Sequence, residues 1–278
     1  DEVDHVVDRQ GGGGAADVIV LNQNETITSE YNSSGNAFPL ITTPMTIRGN
    51  GFTVAMDNQT NDPFRLFEVL NTTFTLERFD TIDHTLTINE DDGGFLKATN
   101  SVITILQSSF DGYRSEVNGG VIYQDGTKLT IRGSEFIGNL SSNGGAIFIK
   151  NASLLVTSSL FSINNAWQHG GAIVTRGETA ISIDSSIFEH NTSYYGSAID
   201  GGLEGNQKKM TINSSEFRYN HSFEWGGTVT WRGWDGEVEI KNSTFWENIG
   251  SGESAGFENS DGLAKITVTN STFSGNIS

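Results

Sequence analysis

The chain has 278 residues, with 34 acidic against 16 basic side chains and a formal charge of −18. It therefore repels phosphate backbones and acidic membrane surfaces, which excludes nucleic acid as a partner. Cysteine is absent, so disulfides, thiolate metal sites and a cysteine nucleophile are excluded too. Its 33 Gly, 3 Pro and 35% hydrophobic residues suit short strands with tight corners, and no apolar run reaches the ~20 residues that membrane insertion of a helix requires.

In chain order, residues 1–40 stand apart from the remainder of the chain and are expected to cap or connect it as part of one domain. They open DEVDHVVDRQGGGG with neither Met nor a signal peptide, as expected of a processed or excised chain. From 41 to 278 the chain repeats itself. The copies are MTIRGNGF (45–52), a faint FTLERF (74–79), ITILQSSF (103–110), LTIRGSEF (129–136), LLVTSSLF (154–161), ISIDSSIF (181–188), MTINSSEF (210–217), VEIKNSTF (238–245) and ITVTNSTF (266–273). Except for Thr72 in the faint copy, the residues seven and five before the marker Phe are apolar, the period-two mark of a strand with one buried face. Ser precedes Phe by two in the seven strong copies, from Ser108 to Ser271. For both sets to face inward the chain must turn between them, and Gly, Asn, Asp, Lys and Ser occupy that corner.

Asn follows Phe by three residues at Asn139, Asn164, Asn191, Asn220, Asn248 and Asn276, with Tyr113 as the exception. Asn tolerates left-handed backbone and stacks its amide on its equivalents, so it is expected to turn the chain. A Gly pair then opens another short strand, at Gly119-Gly120, Gly144-Gly145, Gly170-Gly171 and Gly226-Gly227. Three strands and three corners in ~27 residues describe one turn of an all-β, single-stranded parallel β-helix, a solenoid of roughly ten turns. The crossover rule makes it right-handed. Phe110, Phe136, Phe161, Phe188, Phe217, Phe245 and Phe273 form the expected interior column. The last repeat ends at FSGNIS with no polar cap, so the expectation is that the chain continues or that the open end meets another subunit.

The tetrapeptides GGAI (144–147 and 170–173) and FIGN, FSIN, FEHN, FRYN, FWEN and FSGN resemble the paired GGA[ILV] and FxxN repeats of chlamydial polymorphic outer-membrane proteins. The stretch from Asp17 to Val54 is similar to the opening turns of pectin-lyase-like domains. These resemblances imply a β-helix and, from the first, a surface adhesin; the second implies polysaccharide chemistry as the alternative.

Asn-X-Ser/Thr sequons are the strongest functional signal: 12 of 25 Asn lie in one, where the Ser and Thr content predicts about five. Asn24, Asn32, Asn58, Asn71, Asn151, Asn213, Asn242 and Asn270 are the expected N-glycan carriers. Asn139, Asn191, Asn220 and Asn276 lie on the Asn ladder and cannot carry sugar if it points inward. Aromatics come second. Trp167, Tyr195, Trp225, Trp231, Trp234 and Trp246 are read as an interaction surface, able to stack on sugars or anchor a protein. An enzyme needs acids grouped in one cleft. Here Asp91-Asp92, Asp111, Asp125, Asp200 and Asp235 are scattered, and the five His show no metal-ligand spacing. No catalytic, cofactor or metal residue is assigned; the acidity alone suggests calcium, without a ligand pattern.

The expectation is a non-catalytic extracellular structural or adhesive glycoprotein, a subunit of a surface filament, hair or layer. Its partners would be copies of itself or other extracellular proteins, with carbohydrate as a further ligand and no membrane insertion. The alternatives are a polysaccharide lyase or hydrolase and a monomeric carbohydrate-binding adhesin.

Overall fold

The computed structural model describes residues 16–31, 34–56, 64–83, 91–203, 209–233, 236–251, 254–260 and 264–278. All secondary structure among them is β, and the strands stack in parallel into sheets of sixteen, ten and four strands. The chain is a parallel β-solenoid. The apolar repeat strands and the strands after the Gly pairs form two bands of the sixteen-stranded sheet. These bands merge where Ile122–Arg132 and Ile147–Thr157 run through both. The Phe strands form the ten-stranded sheet. Among the described residues the third side is a regular sheet in four turns: Leu140–Asn143, Asn165–His169, Thr192–Tyr195 and His221–Trp225. Strand pairing begins within the first forty residues, since Asp17–Val20 pairs with Met45–Arg48.

Period-two patterning places Leu154 and Val156 inside, stacked on Leu129 and Ile131 below and on Ile181 and Ile183 above. The Phe column follows. Phe136, Phe161, Phe188, Phe217 and Phe245 pair in register, buried, with ring centroids 4.6 to 4.8 Å apart and planes within 5°. Each such ring stabilises the fold by about 1.5–3 kcal/mol relative to exposure. Phe273, on the last turn, stacks on Phe245 at 4.6 Å while its other face is exposed.

Every corner has its own device. The residue before each ladder Ser is left-handed, with φ of 50° at Gln107, Ser158 and Ser185. The Ser hydroxyl then donates to the carbonyl two residues back and accepts an N–H from the previous turn, as Ser186 does with Asp184 (2.8 Å) and Ser159 (3.2 Å). At the second corner the left-handed residue is not the Asn, as the sequence suggested, but the one before it: Ile163 (φ 58°), His190 (55°) and Tyr219 (56°). The Asn is the clamp. The Asn191 amide donates to Phe161 O (2.9 Å) and Asn220 Oδ1 (3.0 Å), and accepts the N–H and the side-chain amide of Asn164, both at 3.0 Å. Both donors and both lone pairs are used, which is why a fully buried amide is tolerated. At the third corner the first Gly is left-handed, as at Gly144 (φ 67°), where a Cβ would collide with the Ile147 carbonyl; on Gly145 it would strike Gly171 O.

The first turns depart from the register read in the sequence. Phe110 pairs with Thr81, and Thr81 with Val54, so the Phe column does not continue through Phe79 and Phe52. Phe79 takes the Ser slot, its N–H bound to Ser108 Oγ at 3.1 Å. The corner at Asn50 and Gly51 holds two extra residues, which brings Phe52 beside Phe79.

Candidate functional site: the aromatic flank

The third side owes its surface to small inward residues. Ser141, Ala166, Ser193 and Ser222 occupy one buried column and draw the chain close to the core. Immediately after them the register shifts in every turn, and the bulge turns the following side chains out. What it turns out is aromatic: Trp167, Tyr194 and Phe223 are 43, 44 and 49% exposed. Beside them climbs the column that precedes the Gly pairs, Asn118, Asn143, His169, Tyr195 and Trp225, ending with Trp225 at 63% exposure. His169 stacks on Tyr195 (4.8 Å), His190 on Tyr219 (5.0 Å), and His221 tilts against Phe223 (4.3 Å).

Under this column lies a charged knot that the linear sequence had scattered. Asp200 is fully buried, with His169 Nδ1 at 2.7 Å and Arg232 Nε and Nη2 at 3.2 and 3.4 Å. The three residues are 31 and 32 positions apart, close to one repeat, and the turn stacking brings them together. Arg232 also lies over the Tyr195 ring, 5.6 Å from its centroid, and the Tyr195 hydroxyl donates to Glu224 (3.2 Å). Burial first, and then Glu224, push that hydroxyl above its ordinary value. The signal for this cluster was the offset: Asp200 stands five residues past Tyr195, which is one turn above His169.

A second acidic group lies toward the N-terminal end. Burial raises the Asp91 carboxyl, but the Asp92 N–H and the Arg65 and Lys97 cations outweigh it and hold it at about 2. Asp92 goes the other way: burial and the Asp91 charge raise it, although Asn118 donates to it at 2.8 Å. Tyr123 is pushed up to about 12 by burial and by Asp92, Asp125 and Asp91. Among the described residues no three His, Asp or Glu side chains converge as a metal-binding group.

The predicted interaction residues divide. Trp167 and Trp225 are exposed and Tyr195 half-buried, together on this flank. Trp246 is half-buried on the neighbouring Phe sheet, edge-on to Tyr219 (4.6 Å), with its indole N–H donated to Glu216 (2.7 Å). Trp234 lies outside the described residues. Trp231 corrects the expectation, for it is fully buried. It is two residues from the inward Val229 on one strand and pairs with Gly201, whose missing side chain leaves room for the indole. A Cβ on Gly201 would lie 3.2 Å from Trp231 Cε3. Strand alternation in VTW carried this signal.

The sequons divide as well. Asn24, Asn71, Asn151, Asn242 and Asn270 are exposed, and Asn213 is half-buried. Asn213, Asn242 and Asn270 stack at one outer corner, each amide donating to the previous turn (2.6, 3.0 and 3.4 Å, the first to Asp184). The ladder points inward: Asn139, Asn191 and Asn220 are fully buried with no room for an attached sugar, as is Asn164, outside a sequon. Asn276 is half-buried on the last turn. Asn32 and Asn58 lie outside the described residues.

No known protein-family model matches the chain, and no curated protein is significantly similar to it.

Proposed function

We propose that the chain is a non-catalytic structural and adhesive rod of an extracellular surface, a building block of a filament, hair or layer. The observation that carries this reading is the aromatic flank. Trp167, Tyr194, Phe223 and Trp225 are held outward in successive turns of a solenoid whose interior is tied by Phe, Ser and Asn ladders. A rigid scaffold with large aromatics on one side suits contact with a partner more than turnover of a substrate. The GGAI and FxxN repeats, which resemble those of chlamydial polymorphic outer-membrane adhesins, support the same reading. So do the exposed sequons, which would carry N-glycans away from the ladder. The test is electron microscopy of the secreted material without denaturation: regular filaments are expected, and isolated rods with no surface attachment refute it.

The Asp200–His169–Arg232 cluster favours a second reading, a polysaccharide lyase or hydrolase. In it a buried carboxylate would orient His169 as a base. Release of reducing ends or unsaturated products from polysaccharides, abolished in Asp200→Asn, would establish it.

A further inference from the structure

We infer that the aromatic flank docks a basic polypeptide, with arginine side chains of the partner stacked on the exposed aromatic faces. This rests on the adhesive reading above and names the partner's chemistry. Two observations carry it.

The first is that the solenoid already seats guanidinium groups on aromatic rings along this corner. Arg232 lies over Tyr195 at 5.6 Å, and Arg176 lies over Phe148 at 5.3 Å in the adjoining strand column. Trp225, one turn from Tyr195 in the same column, offers a larger π face that is 63% exposed. Guanidinium binds such faces better than ammonium because it is planar and more weakly hydrated.

The second is charge. The flank's own Arg232 is spent internally on buried Asp200 (3.2 Å), and on the adjoining Phe sheet Arg218 is spent on Glu189 (2.6 Å) and Glu216 (3.0 Å). Glu224 stands exposed beside the rings, on a chain with 34 acidic against 16 basic side chains and a net charge of −18. Such a field steers basic partners in and repels acidic ones. The surplus negative charge sits next to aromatic faces, where an arginine satisfies both at once. A neutral glycan would use the rings and leave the charge unanswered.

The experiment is calorimetric titration of the intact protein with two peptides of equal length and charge, one Arg-rich and one Lys-rich. It is done at low and physiological salt, with a neutral oligosaccharide as a third probe. The Arg-rich peptide is expected to bind several-fold tighter than the Lys-rich one. Trp225→Ala with Tyr194→Ala should weaken it roughly tenfold while the thermal melt stays put, since both side chains are exposed. Equal binding of the two peptides, unaffected by the aromatic substitutions, reduces the effect to bulk charge and overturns the proposal. So does saturable oligosaccharide binding lost in Trp225→Ala without competition from the Arg-rich peptide. Filaments in the micrographs with neither peptide preference would leave the rod reading standing and remove this one.

Discussion

The turns before Phe110 and those after it use the same kinds of residue and pack them differently. After Phe110 one Phe per turn lies in register, and the rings stack like coins, Phe136 on Phe161 and Phe161 on Phe188 each within 2°. Before it, Thr81 and Val54 hold that column, and the aromatics come from several positions. Phe67 meets Phe95 at 77° and Phe95 meets Tyr113 at 79°, while Phe67 lies flat on Phe38 at 12°. An apolar pocket of about 320 Å³, lined by Ile19, Leu21, Ile27, Phe38, Met45 and Val54, opens beside those first turns. A column of identical side chains fills its own space because each neighbour has the same shape. Once the column is interrupted, rings tilt edge to face, which is also favourable pairwise.

Phe188→Ala should break the regular half most severely, at a cost of about 3–5 kcal/mol in urea unfolding, because rigid neighbours above and below cannot collapse into the gap. A loss under 1 kcal/mol would disprove the stacked column. Asn191→Asp should cost about 2–4 kcal/mol at neutral pH, since it removes two donors and buries a charge among carbonyls. Burial raises such a carboxyl, so the neutral form suits the fold. The penalty should shrink below about pH 4 and be full above the folded-state value, and a flat pH profile would argue against a buried ladder.

The irregular half is open to improvement. Val54→Phe adds a ring to the apolar pocket that Val54 lines and is expected to stabilise by about 1 kcal/mol; a lowered melting temperature would show that the pocket cannot take it. A smaller gain, about 0.5 kcal/mol, is expected for Ile163→Gly. This β-branched residue sits at φ 58° and 60% exposed where Gly138 and Gly275 stand in other turns. Unchanged stability by calorimetry would mean that its surface contacts offset the strain.

The smallest effect concerns acid. Asp91 lies below its ordinary value of 3.8 at about 2 and pairs with buried Arg65. Its contribution is present above about pH 4 and is lost as pH falls toward 2. Exposure of the carboxylate screens it. Asp91→Asn should flatten the acid limb of the stability curve between those values without moving Phe188→Ala, and an identical acid limb would remove the pair's role.

Much of this was legible in one dimension. The inward Leu, Ile and Val pairs, the Phe column from Phe110 onward and the Ser ladder repeat at nearly constant spacing, and a strand's period of two leaves no choice of face. The mismatch at Phe52 and Phe79 was not legible, because these two stay beside each other at a spacing of 27 while both occupy the Ser slot, level with Ser108 and two residues out of the Phe110 column. The candidate site was half legible. Tyr195 and Trp225 could be placed on one column, with Trp167 close by, from their distance to the following Gly, whereas Trp231 looked like its neighbours in composition and faced the other way.

By itself, then, the sequence determined the solenoid, its inner columns and the corners where left-handed residues are required, because each arises from local geometry repeated every turn. Only the tertiary structure decided which turns stack in which register, that the Asn ladder points inward, and that His169, Asp200 and Arg232 meet. Those outcomes depend on contacts between residues a full turn or more apart. Their partners are set by the cumulative length of every corner between them.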